Sequence, residues 1–321
     1  MRKTAERRRG AGAGERGSAL LAVLWLSAAL AAIAFTLAIT VRAELERASG
    51  AVDSARAYYL AQGAIERFVF QLAWADSGGN APAGWFQPGM SRMRWVFASG
   101  VVDLEITGEN GKLNVYDTQP ATLARLFSLE GVDPDRAQAI AAGIAARRTA
   151  QPENLSGGSS FVSQLPSFLE SEDLLTVSGM TPDVYYGWWE RGPAPEGAPE
   201  GAGRLLRRGG IAEDLTMLDG GAVNVNYASP AVLRAVGVPE GPLQSILAQR
   251  QGGPIKNVAA FGVGSLTGGA LAAGGSQAYT VRATAQLNSR PVRRTVAAVV
   301  RYGRDRTEAS LGIARWFPSG N

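Results

Sequence analysis

The sequence predicts an α+β protein, in which a long N-terminal helix packs on a small antiparallel sheet and a large, mostly helical lobe is inserted between the strands. Residues 18–75 contain no proline, and an uncharged stretch there runs directly into an amphipathic one. Alternation typical of strands occurs over residues 92–108 and again over 278–302. The segment between them, 109–265, has helical periodicity and contains an internal repeat.

The uncharged stretch, Ser18–Val41, has the length of a membrane-spanning helix. Its 24 residues form a helix of roughly 36 Å, which exceeds a bilayer core of about 30 Å. Residues 1–16 carry six Lys and Arg against two acidic residues, and such positive flanks stay on the cytoplasmic side. Three interpretations stay open at this point: a secretory signal cut near Ala29-Leu30-Ala31, an uncleaved anchor, or a short leader removed after Gly17.

The second stretch, residues 42–75, predicts a continuation of the same helix with one apolar face. Gly50 and Gly63 each weaken it by about 1 kcal/mol relative to Ala. Beyond Tyr59 the apolar positions shift around the helix. A second apolar face is formed there by Ile65, Phe68, Val69 and Leu72. The first face is predicted to be a helix-packing interface with 4,3,4,3,4 spacing, formed by Val41, Leu45, Ala48, Val52, Ala55 and Tyr59.

Composition narrows the possible functions. The net charge of +4 comes entirely from residues 1–16, because the remainder has 26 basic and 26 acidic residues. There is no cysteine and no histidine, which excludes disulfides and thiolate metal sites and removes the commonest general base. No phosphate-binding loop and no nucleophile elbow is found. We therefore expect no enzymatic activity.

The sheet is predicted from two strand pairs that are far apart in sequence. Residues 92–108 alternate around Ser99-Gly100, and residues 278–302 form a hairpin with its turn at Asn288-Ser289. The pattern predicts domains at 76–108 and 266–321, which together form the sheet. One face of the later strand is apolar and is formed by Tyr279, Val281, Ala283, Ala285 and Leu287.

The inserted lobe contains two copies of one motif, at 112–148 and 222–251. In each copy an asparagine precedes a proline by six residues, the proline opens a helix, and a Gly-Val pair leads into a second helix. The first copy is four residues longer before its glycine, and a Pro/Gly-rich linker is predicted at about 191–204. The motif residues are Asn114, Pro120 and Gly131 in the first copy and Asn224, Asn226, Pro230 and Gly237 in the second.

Each copy resembles a helix-hairpin-helix, which binds DNA phosphates through the backbone N–H groups of its turn. Here Pro239 lacks that N–H, Glu240 is acidic, and Asp133 and Asp135 occupy the same place in the first copy. The lobe has 12 basic and 17 acidic residues. A structural hairpin is therefore favoured over DNA binding, for which Arg250 and Lys256 would be the test residues.

Two further groups of residues are candidate ligand sites. Glu170, Glu172 and Asp173 form an acidic cluster that is a weak candidate for calcium, although a solvated loop is the favoured interpretation. The aromatic run Tyr185-Tyr186-Gly187-Trp188-Trp189 is interpreted as lobe core or a domain contact.

Together these features resemble the minor pseudopilin K family of type II secretion systems (general secretion pathway protein K). The resemblance rests on the basic leader ending at Gly17, the apolar helix from Ser18, the large insertion and "AVNVNYASPAVLRAVGV" at 222–238. It implies cleavage by a prepilin peptidase between Gly17 and Ser18, with methylation of the new amine. It also implies an inner-membrane helix with the bulk of the chain in the periplasm.

The same resemblance implies a place at the tip of the pseudopilus, with minor pseudopilins of the I and J types as partners. Ala22 is the fifth residue after the cut, where most pilins and pseudopilins carry the glutamate that pairs with a neighbouring subunit's N-terminus. The resemblance implies that the K type lacks this glutamate, as this sequence does. Family members can also bind calcium in the lobe. The alternatives are a membrane-tethered DNA-binding protein and a minor pilin of a surface type IV pilus.

Overall fold

The computed structural model describes residues 14–76, 82–149, 168, 170–192, 203–264, 267–304 and 309–318. The chain divides into two compact units, one up to Arg56 and one from Ala57 onward. The helices in chain order are α1 (Gly14–Asp76), α2 (Pro120–Leu129), α3 (Pro134–Thr149), α4 (Pro182–Tyr186), α5 (Pro230–Ala235) and α6 (Glu240–Gly252). The strands are β1 (Arg92–Phe97), β2 (Gly100–Gly108), β3 (Leu113–Asn114), β4 (Trp188–Arg191), β5 (Leu205–Arg208), β6 (Leu215–Thr216), β7 (Val223–Asn224), β8 (Leu271–Ala272), β9 (Ala278–Leu287), β10 (Arg293–Arg304) and β11 (Ala309–Phe317).

Helix α1 is 63 residues long and unbroken, which confirms the predicted long N-terminal helix. No proline interrupts it. In the first unit, every described side chain from Ser18 to Val41 is exposed. None of the apolar side chains described in this stretch is therefore buried.

The part of α1 that belongs to the second unit packs on a five-stranded antiparallel sheet of order β1-β2-β9-β10-β11. Phe68 is fully buried, and its ring contacts Phe86 and Tyr279 at centroid distances of 4.9 and 5.8 Å. Full burial of one such side chain contributes about 1.5–3 kcal/mol. The buried apolar residues of this part of the helix are Ala57, Ala61, Ala64, Ile65, Phe68 and Leu72.

The predicted hairpins are confirmed. In β9 the apolar face predicted from alternation is buried along its whole length, from Tyr279 to Leu287, and β10 returns beside it from Arg293. The third strand of this region, β11, was not predicted. A register irregularity between Val299 and Val300 sets Arg315 and Ile313 opposite consecutive residues of β10, so the period of two is lost in β11.

The lobe repeat is confirmed as a structural repeat. Both prolines occupy the first turn of their helices, and α2 has 10 residues against 6 in α5. This difference equals the four extra residues of the first copy. Ser229 caps α5, because its hydroxyl accepts a hydrogen bond from the Val232 N–H at 3.1 Å.

Two boundaries of the lobe differ from the prediction. Strand β8 pairs with β7 of the second copy, so the lobe extends beyond residue 265. The predicted linker begins and ends in a hairpin, because β4 and β5 pair antiparallel and the Gly192 N–H donates to the Arg204 carbonyl. Only residues 193–202 of the linker lie outside the described residues.

Candidate functional site

The first candidate surface is the N-terminal part of α1. The described residues contain one helix long and apolar enough to cross a membrane, located in Ser18–Ala75. Large apolar side chains such as Leu20 and Trp25 are more than 70% exposed there. Gly17 and Ser18 lie in the first turns of α1, and Ala22 is exposed one turn later. The first acidic residue after Gly17 is Glu44, so this stretch has no carboxylate.

The predicted helix-packing interface is not the face that packs on the sheet. In the first unit, Val41, Leu45 and Val52 are about half exposed or more, and Ala48 and Ala55 are exposed as well. In the second unit, Tyr59 is 68% exposed. The residues of this face are therefore available to another chain, and their role as an interface stays a prediction.

Sequence reasoning missed an aromatic cluster on the same side of α1 as Tyr59. Phe70 and Trp74 of α1 contact Trp85, with ring centroids 5.9 and 6.0 Å from it. Phe70 and Trp74 remain about half exposed. The signal was present in the spacing, since Phe70 follows Tyr59 by three helical turns and Trp74 follows Phe70 by four residues.

The asparagines of the lobe motif have equivalent structural roles. The side-chain oxygen of Asn114 accepts from the Tyr116 N–H at 2.6 Å, and that of Asn224 accepts from the Asn226 N–H at 2.9 Å. Each side-chain amide donates to a distant carbonyl, at Asp219 and Gly274, both at 2.8–2.9 Å. Both asparagines therefore fix the turn that leads into the proline-started helix.

Asn226 has a further role that is specific to the second copy. Its side chain accepts from the Ile255 N–H at 2.7 Å and donates to the Ile255 carbonyl at 2.9 Å. The residue is 5% exposed. The Asn226 amide therefore bonds both backbone groups of Ile255, as a neighbouring strand would, and holds the segment that follows α6.

Each copy is closed by an arginine at the end of its second helix. Arg148 donates to the Thr118 carbonyl at 2.7 Å, and Arg250 donates to the Ala228 carbonyl at 2.8 Å. Burial lowers the pKa of Arg250 to about 10. Burial also lowers the pKa of Arg148, against an opposing effect of Asp117. The matching geometry in both copies indicates a structural role.

The hairpin tips are occupied by their own carboxylates. The Asp133 side chain accepts from the Asp135 and Arg136 N–H groups, at 3.1 and 3.2 Å, and so caps α3. Glu240 lies at the start of α6 and forms a two-point pair with Arg234 at 3.1 and 3.2 Å. A phosphate would have to displace these carboxylates, so the geometry opposes DNA binding. Arg250, one of the two residues proposed to test it, is committed to the lobe interior.

A buried polar junction joins the lobe to the sheet within the second unit. Glu109 is 3% exposed and accepts from Thr216, Thr280 and Lys112 at 2.7–2.8 Å. The three donors come from the lobe strand β6, the sheet strand β9 and the residue after a short 3₁₀ helix. Glu109 therefore links the two parts directly.

Tyr227 closes the same junction from the second motif copy. Its hydroxyl accepts from the Gly89 N–H at 2.8 Å, and burial raises its pKa well above the ordinary value. A Cβ atom at Gly108 or Gly111 would lie 2.5 Å from Tyr227 atoms. Both glycines are therefore required by the close approach of the tyrosine.

The calcium candidates do not converge on a metal position. Glu170 and Asp173 form a reciprocal capping box around a 3₁₀ helix (Ser171–Thr176), and Glu172 accepts from Ser171 at 3.1 Å. Across the described ranges, no three acidic side chains form a group that could hold a metal ion. In the aromatic run, Tyr185 is buried whereas Trp189 is exposed.

Comparison with solved structures finds a similar chain. It occurs in "The Crystal Structure of the GspK-GspI-GspJ complex from enterotoxigenic Escherichia coli Type 2 Secretion System", with a TM-score of 0.42 and 14% sequence identity. The alignment covers 86% of this chain and 99% of that chain. No family model matches the sequence, and a search of curated proteins finds no match.

Proposed function

We propose that the protein is a minor pseudopilin of a type II secretion system, of the K type. The observation that supports this most strongly is the construction of α1. One unbroken helix contains 24 uncharged residues from Ser18 to Val41, whose side chains are all exposed, and its later part packs on a small antiparallel sheet. Such a helix serves as membrane anchor, assembly surface and core element at once.

The exposed face of α1 provides the contact with other subunits. By family resemblance the partners are minor pseudopilins of the I and J types, which pack their own N-terminal helices alongside. The apolar residues at Val41, Leu45 and Val52, and the aromatic residues at Tyr59 and Phe70, supply surface that the described chain leaves uncovered. Burial of this surface is the driving force for the association.

A tip position explains both Ala22 and the lobe. A carboxylate in an apolar fibre core needs a positive partner, and a chain with Ala22 forgoes the pairing that would set it beneath another subunit. The 157-residue insertion at 109–265 adds bulk that a further layer would have to accommodate. The proposed role is therefore to begin or cap the pseudopilus and so support export of folded proteins.

The orientation follows from charge. The six basic residues of the first 16 keep the leader in the cytoplasm, so the sheet and lobe face the periplasm. A prepilin peptidase then removes residues 1–17 and methylates Ser18. Ser18 replaces the larger apolar residue common at this position. Cleavage before Ser18 is therefore the step of the proposed function that is most informative to test.

The test is the intact mass and N-terminal sequence of the protein from host membranes, with and without the prepilin peptidase. The expected chain begins at methylated Ser18 only when the peptidase is present. Gly17→Val is the blocked variant, and Gly14→Val, three residues upstream, is the matched control that leaves cleavage intact. A chain that still begins at Met1, or one cut near Ala31, would contradict the proposal.

A further inference from the structure

The five-stranded sheet ends in two edge strands, β1 and β11, which differ in how well they are protected against pairing with another chain. Strand β1 has six residues, of which Arg92 and Arg94 are exposed and charged. Strand β11 has nine residues and no proline, and its single charged residue is Arg315, which pairs with Glu170 of the lobe at 3.4 Å. Short length and charged side chains are the usual protection of an edge, so β11 lacks the protection that β1 has.

The outer side of β11 has no strand partner among the described residues. Its backbone pairs with β10 on one side, from Ala309 to Phe317, and no other described strand pairs with its second side. In an antiparallel strand about half of the N–H and C=O groups point to each side. The groups on the outer side of β11 are therefore available for hydrogen bonds with a further strand.

A cavity of about 390 Å³ lies beside the same strand. Its volume is within the range of pockets that hold small ligands or a few side chains. Leu218 of the lobe and Arg301 of β10 contribute to its wall. Four consecutive residues of β11 also line it: Leu311, Gly312, Ile313 and Ala314. The cavity and the unpaired edge therefore belong to one stretch of β11.

The cavity is open over Gly312. In the register, Ile313 lies opposite Val300 and Gly312 lies opposite Arg301. Val300 is buried in the core between the sheet and α1, so Gly312 and Arg301 share the other face of the sheet by strand alternation. A Cβ atom at Gly312 would meet no atom within 4 Å. A side chain of an added strand would therefore find open space on this face, on the same side as the Arg301 guanidinium.

We propose that β11 and its cavity bind an extended segment of a partner protein, which adds a further strand to the sheet. Main-chain hydrogen bonds with the outer edge supply affinity, and side chains in the cavity supply specificity. The apolar wall at Leu218 takes an apolar side chain, and Arg301 takes a carboxylate two residues away on the same face of the added strand.

The partner is a different protein and not a second copy of this chain. Strand β11 has no acidic residue, so a second β11 would bring no carboxylate to Arg301. None of the residues of the cavity belongs to the exposed face of α1 that the proposed function uses. The edge of β11 is therefore an additional contact surface of the protein.

The test uses the full chain in nonionic detergent micelles and a fluorescein-labelled peptide, Thr-Val-Leu-Val-Glu-Val-Thr, read by fluorescence anisotropy. A second peptide of the same sequence is N-methylated at Leu-Val-Glu, so that it keeps every side chain but lacks the central N–H donors of a strand.

Two variants of the chain change the site itself. Gly312→Leu fills the cavity, and Ala314→Lys places a charge on the edge, as protected edges have. The matched controls lie at the opposite edge, where Val96→Leu changes a side chain of β1 that is 76% exposed and Ala98→Lys changes an exposed residue of the β1–β2 turn. Circular dichroism checks that all four variants stay folded.

The parent chain is expected to bind the unmethylated peptide saturably. The N-methylated peptide should bind about tenfold more weakly, and so should the unmethylated peptide to the Gly312→Leu and Ala314→Lys chains. The control variants should change the affinity less than about twofold. No saturable binding by the parent chain, equal binding of the two peptides, or an equal loss in the control variants would overturn the proposal. Sedimentation of the parent chain alone completes the test, because a dimer that the peptide dissociates would assign the edge to a second copy instead.

Discussion

At the scale of single residues, a few buried polar side chains hold the lobe together and attach it to the sheet. Glu109 receives three donors from separate parts of the second unit. Asn226 satisfies both the N–H and the carbonyl of Ile255. Removing one member leaves several buried groups without partners, and this is costlier than the loss of an exposed bond.

Glu109→Gln is expected to lower the free energy of unfolding by about 2–3 kcal/mol. The variant keeps the shape of the side chain but leaves the Lys112 ammonium, which is only 17% exposed, without its counter-charge. Arg94→Gln is the control, since its ion pair with Asp103 is exposed on both sides and should cost less than about 1 kcal/mol. Denaturant titration of the full chain in micelles measures both, and equal losses would contradict the role of Glu109.

Asp214 makes the stability of the lobe depend on pH. Burial raises the pKa of its carboxyl, and Glu213 adds to the effect, whereas Ser229 and Lys112 oppose it. A raised carboxyl pKa means that the folded state binds the proton more tightly, so this group's contribution falls as pH rises through the folded pKa. Near neutral pH the ionised carboxylate therefore reduces stability.

Asp214→Asn should consequently raise the free energy of unfolding near pH 7 by about 0.5–1 kcal/mol. The gain should disappear at a pH below the ordinary aspartate pKa, where both states are protonated. Denaturant titrations at the two pH values, with exposed Asp103→Asn as control, test this. An equal gain at both pH values would show that packing, and not charge, produced it.

At the scale of elements, α1 has two faces with different roles. Phe68 and Phe70, which are two residues apart, lie on different faces. Phe68 is fully buried against Phe86 and Tyr279, whereas Phe70 is 56% exposed beside Trp74 and Trp85. The first face holds the domain together. Under the proposed function, the second face contacts another subunit.

Phe68→Ala should therefore destabilise the chain by about 3–5 kcal/mol, whereas Phe70→Ala should change stability by less than about 1 kcal/mol. Phe70→Ala combined with Trp74→Ala should instead weaken association with the other minor pseudopilins by about tenfold. Thermal unfolding measures the first effect, and co-purification at graded concentration measures the second. Unchanged association in the double variant would remove the aromatic cluster from the interface.

Sequence patterns predicted those elements whose side chains repeat with a regular period. The sequence predicted the alternation in β9, the proline-started helices and the four-residue difference between α2 and α5. Strand β11 was not, because its irregularity breaks the period of two. The two-residue strands β3, β6, β7 and β8 are too short to have a period. The polar junction at Glu109 joins residues up to 171 positions apart, and no local pattern contains that information.

At the scale of the whole molecule, the proposed function as a pseudopilin must be distinguished from that of a minor pilin in a surface pilus. A minor pilin of a surface pilus and a pseudopilin share the leader, the apolar helix and the helix-on-sheet domain. The inserted lobe and Ala22 favour the pseudopilin, because both oppose continued stacking of subunits. Loss of the protein is therefore expected to impair protein export while surface fibres still form.

Deletion of the chain is expected to stop the export of folded proteins across the outer membrane while surface pili persist. The full chain should restore export, whereas Gly17→Val should not, because an uncut leader keeps six positive charges beside the helix that must leave the membrane. Secreted activity in the medium and electron microscopy of pili measure the two outcomes separately. Loss of pili with normal export would assign the chain to a surface pilus, and restoration by Gly17→Val would show that processing is not required.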